Sequence, residues 1–109
     1  MCPTVFVQLS GEAKTYWGDS AGMYTLRDGG TTNSREDWIS ADGKKAIWYE
    51  GRVWNVGNVL NRGTKRCYMY TITTSPLSPV DRRNKWSYWN TKTWVQSDDV
   101  QVICAKTST

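Results

Sequence analysis

A chain of 109 residues, 39% of them apolar, has room for one modest core and therefore for one domain spanning residues 1–109. It contains no histidine, which removes the commonest general base, the commonest metal ligand and the neutral-pH switch. Its net charge of +4 is mildly basic, with Lys and Arg scattered in short runs such as "TKR" (Lys65, Arg66) and "DRRNK" (81–85), which is no nucleic-acid-binding tail.

The period-2 pattern of a half-buried strand runs through the chain. "TVFVQLS" sets Val5, Val7 and Leu9 against Phe6 and Gln8. "GMYTLR" (22–27) and "DWIS" (37–40) follow, then "AIWY" (46–49) and "RVWNV" (52–56). "RCYMYTIT" (66–73) is the longest alternating run, with Tyr68, Tyr70 and Ile72 on one side and Cys67, Met69 and Thr71 on the other. "KWSYW" (85–89), "TWVQ" (93–96) and "DVQVICA" (99–105) complete the series. The clusters "GDSAG", "RDGGTTNS", "SADGKK" and "NRGTK" read as turns, and "SPLSPV" as an irregular loop. No run of ten or more residues has a helical period. The expectation is an all-β fold, a compact antiparallel β-sandwich or small barrel of about eight to ten short strands.

The seven residues "WYEGRVW" align with "YWNTKTW", Trp54 falling on Trp94, which suggests internal hairpin repeats; "YWGDSAGMY" (16–24) is a looser third copy. With two-residue turns at Glu50-Gly51 and Asn90-Thr91, Tyr49 would face Arg52 and Trp89 would face Lys92. Tyr49, Arg52 and Trp54 would then share a face, as would Trp89, Lys92 and Trp94. Ile47, Val53 and Val56 read as core.

Seven Trp and six Tyr against one Phe make the aromatic content amphipathic. A sugar ring has an apolar C–H face and a hydroxyl rim, so its binder needs a flat ring beside planar polar groups. "WYEGRVWN", "EDW" and "NKWSYWNTK" meet that need. The candidate ligand-binding sets are Arg52, Trp54 and Asn55; Trp89, Asn90 and Trp94; and Trp17 with Asp19. Most aromatic rings in a small domain are core, so each of these weighs against a packing role. Single-stranded nucleic acid would use aromatics in a basic groove, but no such motif appears and acidic residues lie among the cations. Catalysis is poorly supported: nothing pairs Glu12, Glu36, Asp37, Asp98 and Asp99 as a glycosidase would, and no His activates a nucleophile. "RDGG" and "SDDV" lack the spacing of a calcium loop. The expectation is no enzyme, no cofactor and no metal.

Cys2 opens the first apolar run and Cys104 closes the last, so a disulfide between them would staple the ends and suit an oxidising compartment; three reduced thiols in a cytoplasmic protein are the alternative. Neither a membrane span nor a signal peptide is visible, so a secreted protein would have lost its leader and Met1 would be an added residue.

The order G-x-Y (Gly22 to Tyr24), "IWY", W-x-V-G (Trp54 to Gly57), a Pro-bearing loop, a late Trp and V-x-V-x-C (Val100 to Cys104) resembles small Trp-rich extracellular β domains of animals. In kind the chain is similar to small soluble invertebrate lectins. That resemblance implies sugar binding by analogy. The function expected is therefore a non-catalytic, lectin-like carbohydrate-binding module, secreted, with glycans or glycoproteins as partners and possible homo-oligomerisation. An extracellular protein-interaction or adhesion domain is the alternative, and a single-stranded nucleic-acid binder the third reading.

Overall fold

The computed structural model describes residues 2–72 and 78–105. Alternation carries through into nine strands: β1 (Thr4–Leu9), β2 (Gly22–Thr32), β3 (Arg35–Ser40), β4 (Lys45–Tyr49), β5 (Trp54–Asn58), β6 (Met69–Thr71), β7 (Trp86–Trp89), β8 (Trp94–Gln96) and β9 (Val100–Cys104). They form one antiparallel sheet in the order β8-β7-β6-β5-β4-β3-β2-β1-β9, curled into a half-barrel. The fold is thus all-β as expected, with one curled sheet instead of two packed ones. Ser97 to Asp99 lead directly from β8 into β9, the two edge strands of the sheet.

The inward positions make the core: Val5 and Val7 from β1, Tyr24, Trp38, Ile47, Trp54 and Val56, then Met69, Trp86, Tyr88, Val100 and Val102. Thr73, at the end of the sixth run, and the first half of the Pro-bearing loop (75–77) lie outside the described residues, as does Met1. Cys2 and Cys104 form a disulfide across 102 positions, stapling the start of β1 to the end of β9. Cys67 is the free cysteine.

Three expectations change. The first concerns helix: α1 (Gly11–Trp17) follows β1, continues into a 3-10 turn (Gly18–Ser20), and buries Ala13 in the core. Seven residues make two turns, too few to show a period. The third repeat copy falls on this helix and on β2, so it is no hairpin. The second concerns "RDGGTTNS", which is mostly strand. β2 bulges between Leu26 and Thr31, and its hairpin to β3 turns on Asn33 and Ser34, both at positive φ (52° and 67°). In the bulge the Arg27 guanidinium lies against Gly30, where an added Cβ would come within 2.3 Å of it. Arg27 Nε and Nη2 each donate to the buried Asp37 carboxylate at 2.7 Å.

The third change concerns the hairpins, whose connections have four residues each. Tyr49 pairs with Trp54, and Trp89 with Trp94. In the first, the Glu50 N–H donates to the Val53 carbonyl at 3.0 Å, while Glu50 Oε1 accepts from the N–H groups of Arg52 and Val53. In the second, the Asn90 N–H donates to the Thr93 carbonyl at 3.1 Å, while Asn90 Oδ1 accepts from Lys92 and Thr93. Gly51 (φ 120°) and Thr91 (φ 77°) take the left-handed position in each. Both aromatic pairs meet at 5.4 Å between centroids and 56° between planes. The repeat is therefore real in local geometry, but Arg52 and Lys92 sit in the turns, not opposite Tyr49 and Trp89.

The two pairs point to opposite faces. Inward Ile47 lies two residues before Tyr49, so Tyr49 and its partner Trp54 pack inward, where Trp54 meets Trp38 edge-on at 5.8 Å. In β7 the inward residues are Trp86 and Tyr88, so Trp89 and its partner Trp94 face outward.

Candidate functional site

The outer surface of the β5–β8 half of the sheet carries a shallow hollow of about 220 Å³. Its lining comes from five places in the chain: Glu50, Arg52 and Val53 from the β4–β5 turn, Asn55 from β5, Lys65 and Cys67 from the following loop, Tyr70 from β6 and Trp94 from β8.

Strand register builds its floor. Asn55 pairs with Tyr70, and Tyr70 with Ser87, so their side chains share the outer face with Trp89 and Trp94. The Trp94 ring stands edge-on to Tyr70 at 4.7 Å and tilted against Trp89. Trp94 keeps 39% of its surface exposed, although it is boxed by two aromatic neighbours.

A loop supplies one wall. Residues 59–68 fold over the outer face of β4 and β5, and the Thr64 carbonyl accepts from Trp48 Nε1 at 2.9 Å and Asn55 Nδ2 at 3.2 Å. Asn33 Nδ2 holds the same loop by donating to the Gly63 carbonyl. Trp48 is fully buried there, outside the main core. Gly57 permits this cover: a Cβ on it would lie 2.9 Å from Trp48 Cη2 and 3.0 Å from Cys67 Cα. Burial, with the Glu50 charge second, pushes the Cys67 thiol up to about 12. It is therefore a neutral thiol at physiological pH and no nucleophile.

Electrostatically the hollow is cationic. Arg52 and Lys65 are exposed and neither has an ion-pair partner among the described residues. The facing Glu50 has one carboxylate oxygen engaged by its own turn.

The structure brings Arg52, Asn55 and Trp94 together, with Trp89 supporting the Trp94 ring. The other sequence candidates lie elsewhere or are occupied. Trp54 is 2% exposed and belongs to the core, so the expectation that it presents a face to a ligand is corrected. Its edge reaches a separate hollow of about 460 Å³ that also touches Trp38, Arg35 and Glu36, but both rings are buried and offer no face there. Asn90 spends its side-chain oxygen on its own turn. Trp17, half-buried at the end of α1, stacks flat on Tyr68 at 4.2 Å and donates its N–H to the Trp89 carbonyl at 2.6 Å. Asp19 is exposed and pairs with Lys45 at 3.4 Å. This third set is a clamp between helix and sheet and takes no part in lining the hollow beside Trp94. Val53, expected in the core, is half-buried and lines the site.

Tyr70, Lys65, Glu50 and Cys67 enter the site without having been singled out for it. Tyr70 was visible as one side of the sixth run, and Lys65 as part of a basic pair, but only register and loop closure join them to Trp94. No group of three or more potential metal ligands occurs among the described residues, and no helix is long and apolar enough to cross a membrane. No known protein family, curated protein or solved structure matches the chain.

Proposed function

We propose that the protein is a non-catalytic carbohydrate-binding module whose site is the hollow between Trp94, Tyr70 and Arg52. The observation that carries this reading is Trp94 itself, a large ring held by Tyr70 and Trp89 yet 39% exposed, at the rim of a hollow furnished with Arg52 and Lys65; Asn55, 1% exposed and bonded to the Thr64 carbonyl, belongs to its floor. A ring of that kind covers the C–H face of a sugar, and the Arg52 guanidinium and Lys65 ammonium reach its hydroxyl rim. The volume, about 220 Å³, suits one sugar residue of a chain, below the ~300–1,000 Å³ of pockets that enclose drug-sized ligands. The Cys2–Cys104 disulfide supports an extracellular setting. A site this shallow binds weakly alone and gains strength from repetition in an oligomer or on a clustered glycan.

The test is a glycan array with labelled protein, repeated with free monosaccharide and with Trp94→Ala. Selective signal, competed by sugar and lost in the variant, supports the reading; a blank array at high protein concentration overturns it. A second reading, an adhesion or interaction domain, draws on a different surface. Phe6 pairs with Met23 on one side and Ile103 on the other, forming an apolar row across β2, β1 and β9, with Met23 47% and Ile103 39% exposed. A Met23→Lys, Ile103→Lys double variant that loses a cell-surface interaction while keeping glycan binding would favour it.

A further inference from the structure

We propose that this hollow selects acidic sugars, those bearing a carboxylate or a sulfate ester, over their neutral parents; the inference rests on the carbohydrate reading above. Arg52 and Lys65 both line the same small cavity from separate segments, the β4–β5 turn and the loop over β4 and β5. Arg27 is paired with Asp37, Lys45 with Asp19 and Arg83 with Asp81. Arg52 and Lys65 have no such partner among the described residues. Glu50 is the only carboxylate in the lining, and its Oε1 accepts two N–H bonds from its own turn, which fixes it as a turn cap. What faces the hollow is therefore a guanidinium, an ammonium, the turn-held Glu50 carboxylate and the Trp94 and Tyr70 rings, a lining with one net positive charge.

That combination is specific in kind. A guanidinium offers a planar fork that fits a carboxylate or sulfate in two parallel bonds, and charge-assisted bonds are about twice as strong as neutral ones. The aromatic edge pair supplies what a bare anion site lacks, a surface for the sugar ring. The larger groove of about 720 Å³ along β9 and the segment leading into β7 shows the contrast. Its lining holds Asp81 and Asp98 beside Arg82 and Lys85, which leaves no net charge, and its one aromatic ring, Trp86, is buried.

The test is quenching of Trp fluorescence, checked by calorimetry, with a uronic acid, a sulfated monosaccharide, the neutral parent of each, and inorganic sulfate alone. The wild-type protein is expected to bind at least one acidic sugar about tenfold more tightly than its neutral parent, equivalent to about 1.4 kcal/mol. Which of the two acids binds names the source of the charge. Arg52→Gln and Lys65→Gln, both at exposed positions, are each expected to lower the acidic affinity about three- to tenfold more than they lower the affinity for the neutral parent, so that the preference between the two shrinks, and added salt to narrow it likewise. Equal affinity for acidic and neutral sugars overturns the charge selection and leaves the carbohydrate reading standing. Inorganic sulfate binding as tightly as the sulfated sugar overturns it too, because the rings would then contribute nothing. No binding of any sugar removes both readings together.

Discussion

Replacing Trp54 and Trp94 by alanine, one at a time, compares the same position in two parallel hairpins set on opposite faces of the sheet. Trp54 is 2% exposed and packs against Trp38 at 5.8 Å and Tyr49 at 5.4 Å. Its removal leaves a hole lined by strands that cannot collapse inward, and Trp→Ala at such sites costs about 3–5 kcal/mol. Trp94 rests on Tyr70 and Trp89 from the solvent side, so water fills the space its ring leaves. A fully buried indole withdraws roughly 200 Å² from water. With Trp94 39% exposed, and allowing for what alanine keeps covered, roughly 80 Å² is at stake, worth about 2 kcal/mol at 25 cal/mol/Å². That figure is an upper bound, because the unfolded chain already hides part of its surface. The two variants should therefore differ by about 2 kcal/mol, a gap of roughly 8 °C in Tm for a domain of this size. Far-UV circular dichroism with the disulfide intact is the assay, since fluorescence would report the missing ring itself. Trp94→Ala should lose glycan binding while still folding, with Tm lowered by at most about 8 °C. Equal destabilisation by the two substitutions would refute the assignment of opposite faces, and with it the claim that the β7–β8 hairpin presents its tryptophan.

Two further predictions concern buried chemistry. Asp37 is fully buried; burial, the largest single influence, pushes its carboxyl up, but hydrogen bonds from Arg27 and Thr32 and the charges of Arg27 and Arg62 together hold it below the usual range. A depressed folded value means that its contribution is present above the unfolded pKa of about 3.9 and is lost as pH falls through the folded one. Asp37→Asn should cost about 3 kcal/mol at pH 7, because the Arg27 charge loses its partner, and should flatten the acid limb of stability below about pH 4 in urea titrations. An unchanged acid limb would assign that loss to other carboxylates. For Cys67, a thiol raised from 9.0 to about 12 leaves very little thiolate at pH 8. Iodoacetamide should therefore label the native protein on the order of a thousandfold more slowly than the unfolded, non-reduced protein. Rapid native labelling, read by intact mass, would show that the loop over β4 and β5 opens.

Much of this architecture was readable before any coordinates, because sheet pattern and turn chemistry are local signals. Val5, Val7 and Leu9 announce β1, and the Asn, Gly and Ser clusters fall at turns or bulges. The Cys2–Cys104 bridge was one of two readings the sequence offered, and the pairing of β1 with β9 decides for it. What stayed hidden were short or covered features. Two turns of α1 leave no periodic trace, and the burial of Trp48 depends on a loop that reaches over it.

The division of labour between the tryptophans turns on one residue of parity. "IWY" and "SYW" both end in an aromatic at the mouth of a hairpin, and from the tip alone they look alike. The residue two places earlier decides the face. Ile47 is apolar and sends Tyr49 and Trp54 inward; Ser87 is polar and sends Trp89 and Trp94 outward. A single-residue slip in β7 would bury Trp94 and turn Tyr88 to solvent, exchanging a binding ring for a core ring without changing composition. Reading Ser87 against Ile47 would have singled out Trp94 over Trp54. It could not have added Lys65, which joins the site only because Gly57 lets the loop after β5 pack close above Trp48.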